Sequence, residues 1–204
     1  MQIDPAALPL THDDIRYIKA GYVSVDVLSV GRDFAPAQLR TWIAGGQLPA
    51  APYVLPDGTP MFPRDELALF DAAGGLDGTR ALFARRFSSI AREYGEPAPA
   101  DTIASEWESY LGGAYSICLR EATPENIFRK ERLCARLTAL LAEPRPTDEA
   151  WRAELRDDVD ALDVLERAFS PCDRIRFGRP SSRERFITTP RATWVDVFAR
   201  GTTE

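Results

Sequence analysis

From Tyr22 to Phe70, helix-forming and turn-forming segments follow one another so closely that few folds can accommodate them. After Tyr22-Val23, Ser24 is placed to start a short helix through Leu28, and Gly31 is placed to stop it. Ala35-Pro36 opens a second helix, with proline at its first helical position. Leu39, Trp42 and Ile43 form its apolar stripe, and Gly45-Gly46 ends it. Tyr53-Val54-Leu55 and Met61-Phe62-Pro63 flank a Pro56-Asp57-Gly58-Thr59 turn, the pattern of a short two-stranded hairpin. A helix from about Arg64 to Ala72 follows, and Gly74-Gly75 marks a boundary.

That order resembles the winged helix-turn-helix of the MerR and excisionase type, which implies a DNA-reading fold over residues 1–75. Charge opposes the implication. Residues 1–75 hold five basic side chains (Arg16, Lys19, Arg32, Arg40, Arg64) against nine acidic ones. The expected recognition helix offers Gln38, Arg40 and Thr41, enough for about two or three phosphate contacts where a firm binder makes ~6–10. DNA is therefore not the expected partner, and the module is expected to serve packing or protein binding.

Residues 76–204 are expected to form a helical domain with an arginine-rich C-terminal segment. Thr79–Tyr94 reads as one helix, and Asp101 or Thr102 caps another through Tyr110. Thr123-Pro124-Glu125-Asn126 caps a third, with Ile127, Cys134, Leu137 and Leu141 on one face. A short Glu143–Thr147 link leads to a helix whose stripe is Trp151, Leu155, Val159, Leu162 and Phe169. Two long amphipathic helices so tightly joined predict an antiparallel hairpin. The fold class is thus mainly α: a winged helix-turn-helix-like module with a short β-hairpin, then an α-helical domain containing a long antiparallel helix hairpin. Upstream, Thr11-x-x-Asp14 is a capping box for a helix over His12–Lys19 that Gly21 ends.

Composition narrows the partners. The 204 residues carry a net charge of −6, which disfavours non-specific contact with nucleic acid or anionic lipid. No apolar run approaches the ~18 residues of a membrane span, and Met1–Asp14 lacks a basic leader, so a cytoplasmic location is expected. Cys118, Cys134 and Cys172 have no metal or redox spacing and are expected to be reduced and mostly buried. Arginine outnumbers lysine 23 to 2, as GC-rich bacterial coding would produce.

Against that acidic background, Asp173–Arg191 holds six arginines and two acids. Guanidinium forks bind carboxylate and phosphate, and Ser181-x-x-Glu184 can cap a helix pointing at the same place. Arg174, Arg176, Arg183, Arg185 and Arg191, with Arg120 and Tyr115, are the candidate anion-binding residues. The ligand would be a small anionic molecule or an intermediate on a carrier protein. The other possibility is structural, with these arginines paired to Asp157, Asp158, Asp160 and Asp163 of the preceding helix. Those acids lack the spacing of a diphosphate-binding aspartate motif, since Ala161 interrupts them, and one histidine (His12) offers no zinc set, so no metal is expected. There is no glycine-rich phosphate loop and therefore no expected nucleotide cofactor. Only Lys19 and Lys130 could form a Schiff base, and Lys130 sits among Glu125, Arg129, Glu131 and Arg132 as surface pairing would place it. Tyr110, Tyr115 and Arg120 could line a pocket at the seam between the two parts, or simply pack in the core. No catalytic residue is singled out.

Four phrases carry a broader resemblance: Tyr22-Val-Ser-Val-Asp-Val-Leu, Pro52-Tyr-Val-Leu-Pro-Asp-Gly, Tyr115-Ser-Ile-Cys-Leu-Arg-Glu-Ala-Thr-Pro-Glu-Asn and Asp173-Arg-Ile-Arg-Phe-Gly. The chain is similar to an uncharacterised, mainly actinobacterial family labelled as natural-product biosynthesis proteins. That resemblance implies a role in secondary metabolism and carries no assigned catalytic residues. Three functions follow in order: a biosynthetic protein binding a small anionic or carrier-tethered intermediate, with acid–base chemistry and no cofactor if it is an enzyme; a MerR-like DNA-binding regulator; and a non-catalytic assembly factor, favoured if Phe34, Trp42 or Phe70 is exposed.

Overall fold

The computed structural model describes residues 5–199. Residues 1–4 and 200–204, which include the start of the Met1–Asp14 leader reading and the end of the arginine-rich domain, lie outside them. The chain is mainly helical, with one small three-stranded sheet.

Local capping chemistry sets the first elements. Thr11 and Asp14 form the expected capping box at the start of α1 (His12–Gly21). Strand β1 (Tyr22–Ser24) follows at once, then the single turn α2 (Val25–Leu28) and α3 (Pro36–Ala44). The hairpin is formed by β2 (Tyr53–Val54) and β3 (Pro60–Pro63). Its turn closes through Leu55 N–H to the Thr59 carbonyl at 2.9 Å, and Gly58, at φ 83°, takes a conformation that side chains resist. The structure adds what a two-stranded hairpin lacks. Val23 pairs with Phe62 and Ser24 with Met61, so β1 docks on β3 and the sheet order is β1-β3-β2. The helix expected from Arg64 shrinks to α4 (Ala68–Ala72), because Pro63–Leu67 is taken up by turns that bury Glu66.

The helical part contains α5 (Leu76–Glu93), α6 (Ala100–Leu111), the single turn α7 (Tyr115–Cys118), α8 (Pro124–Ala142) and α9 (Glu149–Leu165). Thr123 caps α8 by accepting the Asn126 N–H, as its sequence requires. Helices α8 and α9 share a core of Leu133, Leu137, Trp151, Leu155, Val159 and Leu162. Helix α9 ends at Leu165, so Phe169 leaves its stripe and stacks on Phe177 instead. The tail forms α10 (Pro171–Phe177), a π-helical turn (Glu184–Thr188), α11 (Thr189–Thr193) and α12 (Val195–Phe198).

The predicted division at 75/76 falls between α4 and α5, yet packing crosses it. Ile18, Tyr22, Tyr53, Met61, Ile117 and Cys172 form one buried cluster drawn from both parts. The Tyr53 hydroxyl donates to Asp173 at 2.9 Å, and Tyr22 donates to the Ser116 carbonyl at 3.1 Å. Gly113 lies directly against the Ala50 carbonyl, where a Cβ would collide, and Ala50 N–H bonds to the Leu111 carbonyl at 2.8 Å. Phe34, Trp42 and Phe70 are half-buried against one another, with ring centroids 5.1–5.6 Å apart, rather than left exposed.

Candidate functional site

A cavity of about 310 Å³ lies between the α6–α7 turn, helix α8 and the segment from Phe169 to Phe186. Its chemistry centres on Lys130. Position 130 falls on the apolar face of α8, three residues after Ile127 and four before Cys134, so the helix carries the lysine inward. Sequence spacing had placed Lys130 on a solvated face. In the fold its side chain is 11% exposed, 5.6 Å above the Tyr115 ring. The missed signal was positional, since residue 130 completes the very stripe that Ile127, Cys134 and Leu137 define.

Two carboxylates stand near the ammonium, Glu131 at 3.8 Å and Glu166 at 3.9 Å. Both distances exceed those of hydrogen bonds, so neither carboxylate takes up the three N–H donors. Burial depresses the Lys130 pKa, but Cys118, Glu131, Glu166 and Cys134 outweigh it and hold the value above the usual lysine range. Lys130 is therefore a cation at neutral pH. Burial pushes the Cys134 thiol up to about 12 and raises Cys118 as well, with Lys130 pulling both the other way.

Glu166 is 1% exposed and its carboxyl is raised by burial, with the Ser182 hydroxyl and then Lys130 pulling the other way. Ser182 donates to Oε1, while Oε2 is buried and has no hydrogen-bond partner among the described residues. On the opposite wall the Tyr115 hydroxyl donates to Glu106. Burial raises both groups, Tyr115 far above the usual tyrosine range. A buried ammonium, an under-bonded carboxyl and a phenol–carboxyl pair can together bind an anionic or acceptor group and move a proton.

The arginines of the tail divide into two sets. Arg174 pairs with Glu184 at 3.0 Å, Arg183 with Asp163 at 2.5 Å, and Arg191 with Asp160 and Asp163, each at 2.6 Å. Arg176 is buried and donates to the Pro52 carbonyl, tying α10 to the residue before β2. Asp158 pairs with Arg136 of α8, not with the tail. Arg179 and Arg185 instead line the cavity; no carboxylate pairs with either among the described residues, and Arg185 lies 4.7 Å over the Phe186 ring. The Ser181–Glu184 capping box forms, but it opens only the π-helical turn. Of the seven residues singled out from sequence, Tyr115 and Arg185 meet at this cavity.

Arg120 lies elsewhere. With Tyr110, Arg86 and Glu66 it borders a second cavity of about 40 Å³ at the seam between the two parts. Glu66 is buried, and the Ser116 hydroxyl donates to its two oxygens at 3.1 and 3.4 Å. Burial, only partly offset by Ser116, pushes its carboxyl up to about 8. Among the described residues no group of three or more His, Cys, Asp or Glu side chains is placed to hold a metal ion, and His12 is exposed. No helix among them is long and apolar enough to cross a membrane.

No curated protein and no solved structure matches the chain. A family of unknown function (DUF6058) matches residues 79–194, the span that supplies nearly all of the cavity at Lys130. That match covers more than half of the 204 residues, and the chain belongs to this family.

Proposed function

We propose that the protein binds a small anionic metabolite, free or tethered to a carrier, in the cavity at Lys130. The observation that carries the reading is the set of cations there: a buried ammonium on α8 with N–H donors that neither carboxylate takes up, and, on the tail segment facing it, two arginines without carboxylate partners among the described residues. Lys130 and Arg185 receive the anionic group. The Tyr115–Glu106 pair is the acid–base element if the bound molecule is turned over, with no cofactor required. The resemblance to natural-product biosynthesis proteins supports a role in secondary metabolism, and reduced, buried thiols suit a cytoplasmic one.

The N-terminal elements α2, α3, β2 and β3 follow the order of a winged helix-turn-helix, and α8 and α9 act as a long antiparallel hairpin that carries one wall of the cavity. The crosswise contacts Leu140–Trp151 and Arg136–Asp158 support the latter. Packing is the better role for the N-terminal module. Arg40, its one helix-borne guanidinium for base reading, is held by Asp26 at 2.8 Å.

Calorimetric titration with acetate, inorganic phosphate and citrate tests the proposal. At least one of these short anions should bind, and Arg185→Ala and Lys130→Gln should each weaken it roughly tenfold or more. Arg185 is exposed and has no ion pair among the described residues, so its variant should melt with the wild type. Equal binding by wild type and both variants would sink the reading.

A further inference from the structure

The cavity does not end at Arg185. Pro180, Arg185 and Phe186 also border an open groove of about 710 Å³ that continues beside α8 to Leu141 and Ala142. Along that helix Lys130, Cys134, Thr138 and Leu141 are spaced by four, four and three residues, so they share one face. Eleven residues separate the ammonium from Leu141, about 16 Å of helix at 1.5 Å per residue.

Polarity falls along this face. At one end stands the buried ammonium of Lys130, whose hydrogen bond to Cys118 leaves further N–H donors. Beyond it, the Thr138 hydroxyl is taken up by the Cys134 carbonyl at 2.7 Å. Glu184, the one acid bordering the groove, accepts from Ser181 N–H and Oγ at 2.9 and 3.0 Å and pairs with Arg174. Thr188, Thr189 and Arg185 border the groove on the tail side, while Leu141, Ala142, Pro180 and Phe186 supply apolar surface.

We infer that cavity and groove form one trough for a single-chain aliphatic carboxylate, its head at Lys130 and Arg185 and its chain laid over Thr138 and Leu141. The inference rests on the anion-binding reading above and adds the ligand's class. Charge complementarity fixes the orientation, because only the Lys130 end offers cationic donors. A peptide or a pantetheine arm fits less well. Each carries several amides that need bonding or water along a face where Leu141, Ala142, Pro180 and Phe186 offer no polar side-chain atom. An aliphatic chain needs none.

The test is a chain-length series, butanoate through decanoate, titrated at neutral pH below micelle-forming concentrations. Affinity should rise about fourfold per added methylene across the middle of the series. Thr138→Glu and Ala142→Glu, both at exposed positions on α8, should flatten that rise. Arg185→Ala and Lys130→Gln should weaken every member. Butanoate and decanoate binding alike would overturn the trough while leaving the anion site standing. A length dependence that survives Thr138→Glu and Ala142→Glu would overturn it too, as would decanoate binding indifferent to Arg185 and Lys130. If no short anion binds in a Lys130- or Arg185-dependent way, the anion reading itself falls, and this one with it.

Discussion

Glu66 and Lys130 are both ionisable groups folded out of water, and they end in opposite states. Glu66 has a serine hydroxyl for a partner and no facing cation in contact, so burial dominates and its carboxyl stays protonated to about pH 8. Lys130 is surrounded by Cys118, Glu131, Glu166 and Cys134, which together override burial, and it stays protonated well into alkali. Burial alone therefore does not make a group neutral; what decides is whether the fold brings an opposite charge along. The seam holds a neutral acid, and the larger cavity holds a cation.

The sharpest way to break this comparison is Lys130→Met, which keeps the aliphatic stem and removes the charge. It strands Glu166, whose Oε2 already lacks a partner, and stability should fall by about 3–5 kcal/mol. The loss should grow as pH rises above the usual carboxylate range. Without its ammonium, Glu166 resists ionisation further, and the folded state then holds a proton that the unfolded state releases. Adding Glu166→Gln should recover part of the loss and that pH dependence. Denaturant unfolding of the two variants at several pH values measures both. A cost under about 1 kcal/mol would mean that Lys130 is not a compensated buried charge.

The next effect is smaller and opposite in sign. The folded-state value of Glu66 lies above its unfolded value, so the folded protein binds the extra proton between about pH 4.5 and 8. Stability should fall through that window, and Glu66→Gln should remove this part of the fall. The variant should match wild type at pH 4.5 and exceed it by roughly 3 kcal/mol at pH 7. Glu106, Glu166 and Asp173, also raised by burial, leave a residual slope of the same sign in the variant. A difference that does not change with pH would show Glu66 to be ionised throughout.

How legible each group was in the sequence follows from the same distinction. Caps are local, so Thr11-x-x-Asp14 and Thr123-Pro124 announced α1 and α8 within a residue or two. Strand β1 was not visible, because three residues show no alternation and its partner Phe62 lies 39 positions away. Nothing near Glu66 marks it as buried, since the hydroxyl that receives it is Ser116, on α7. Lys130 was within reach, because its position in the α8 stripe was already fixed by Ile127 and Cys134. The arginine tail could not be divided from sequence. Arg183 and Arg191 find Asp163 only once the tail folds back on α9, while Arg185, two residues from Arg183, faces a cavity.

Arg40 and Asp26 supply the baseline for both buried groups, because their pair never leaves water. The two side chains are 51% and 65% exposed at 2.8 Å, so solvent screens their attraction and holding them together costs side-chain entropy. Arg40→Ala should change stability by less than about 1 kcal/mol, with a smaller effect still at high salt. The same variant bears on the N-terminal module. If its helix-turn-helix order served DNA, freeing or deleting Arg40 would alter affinity for a duplex and the steepness of its salt dependence. The expected result is that wild type and variant both show no salt-sensitive duplex binding in a gel-shift series. A loss of several kcal/mol on Arg40→Ala would instead mean that exposed pairs in this protein behave like buried ones, and the contrast between Glu66 and Lys130 would lose its reference point.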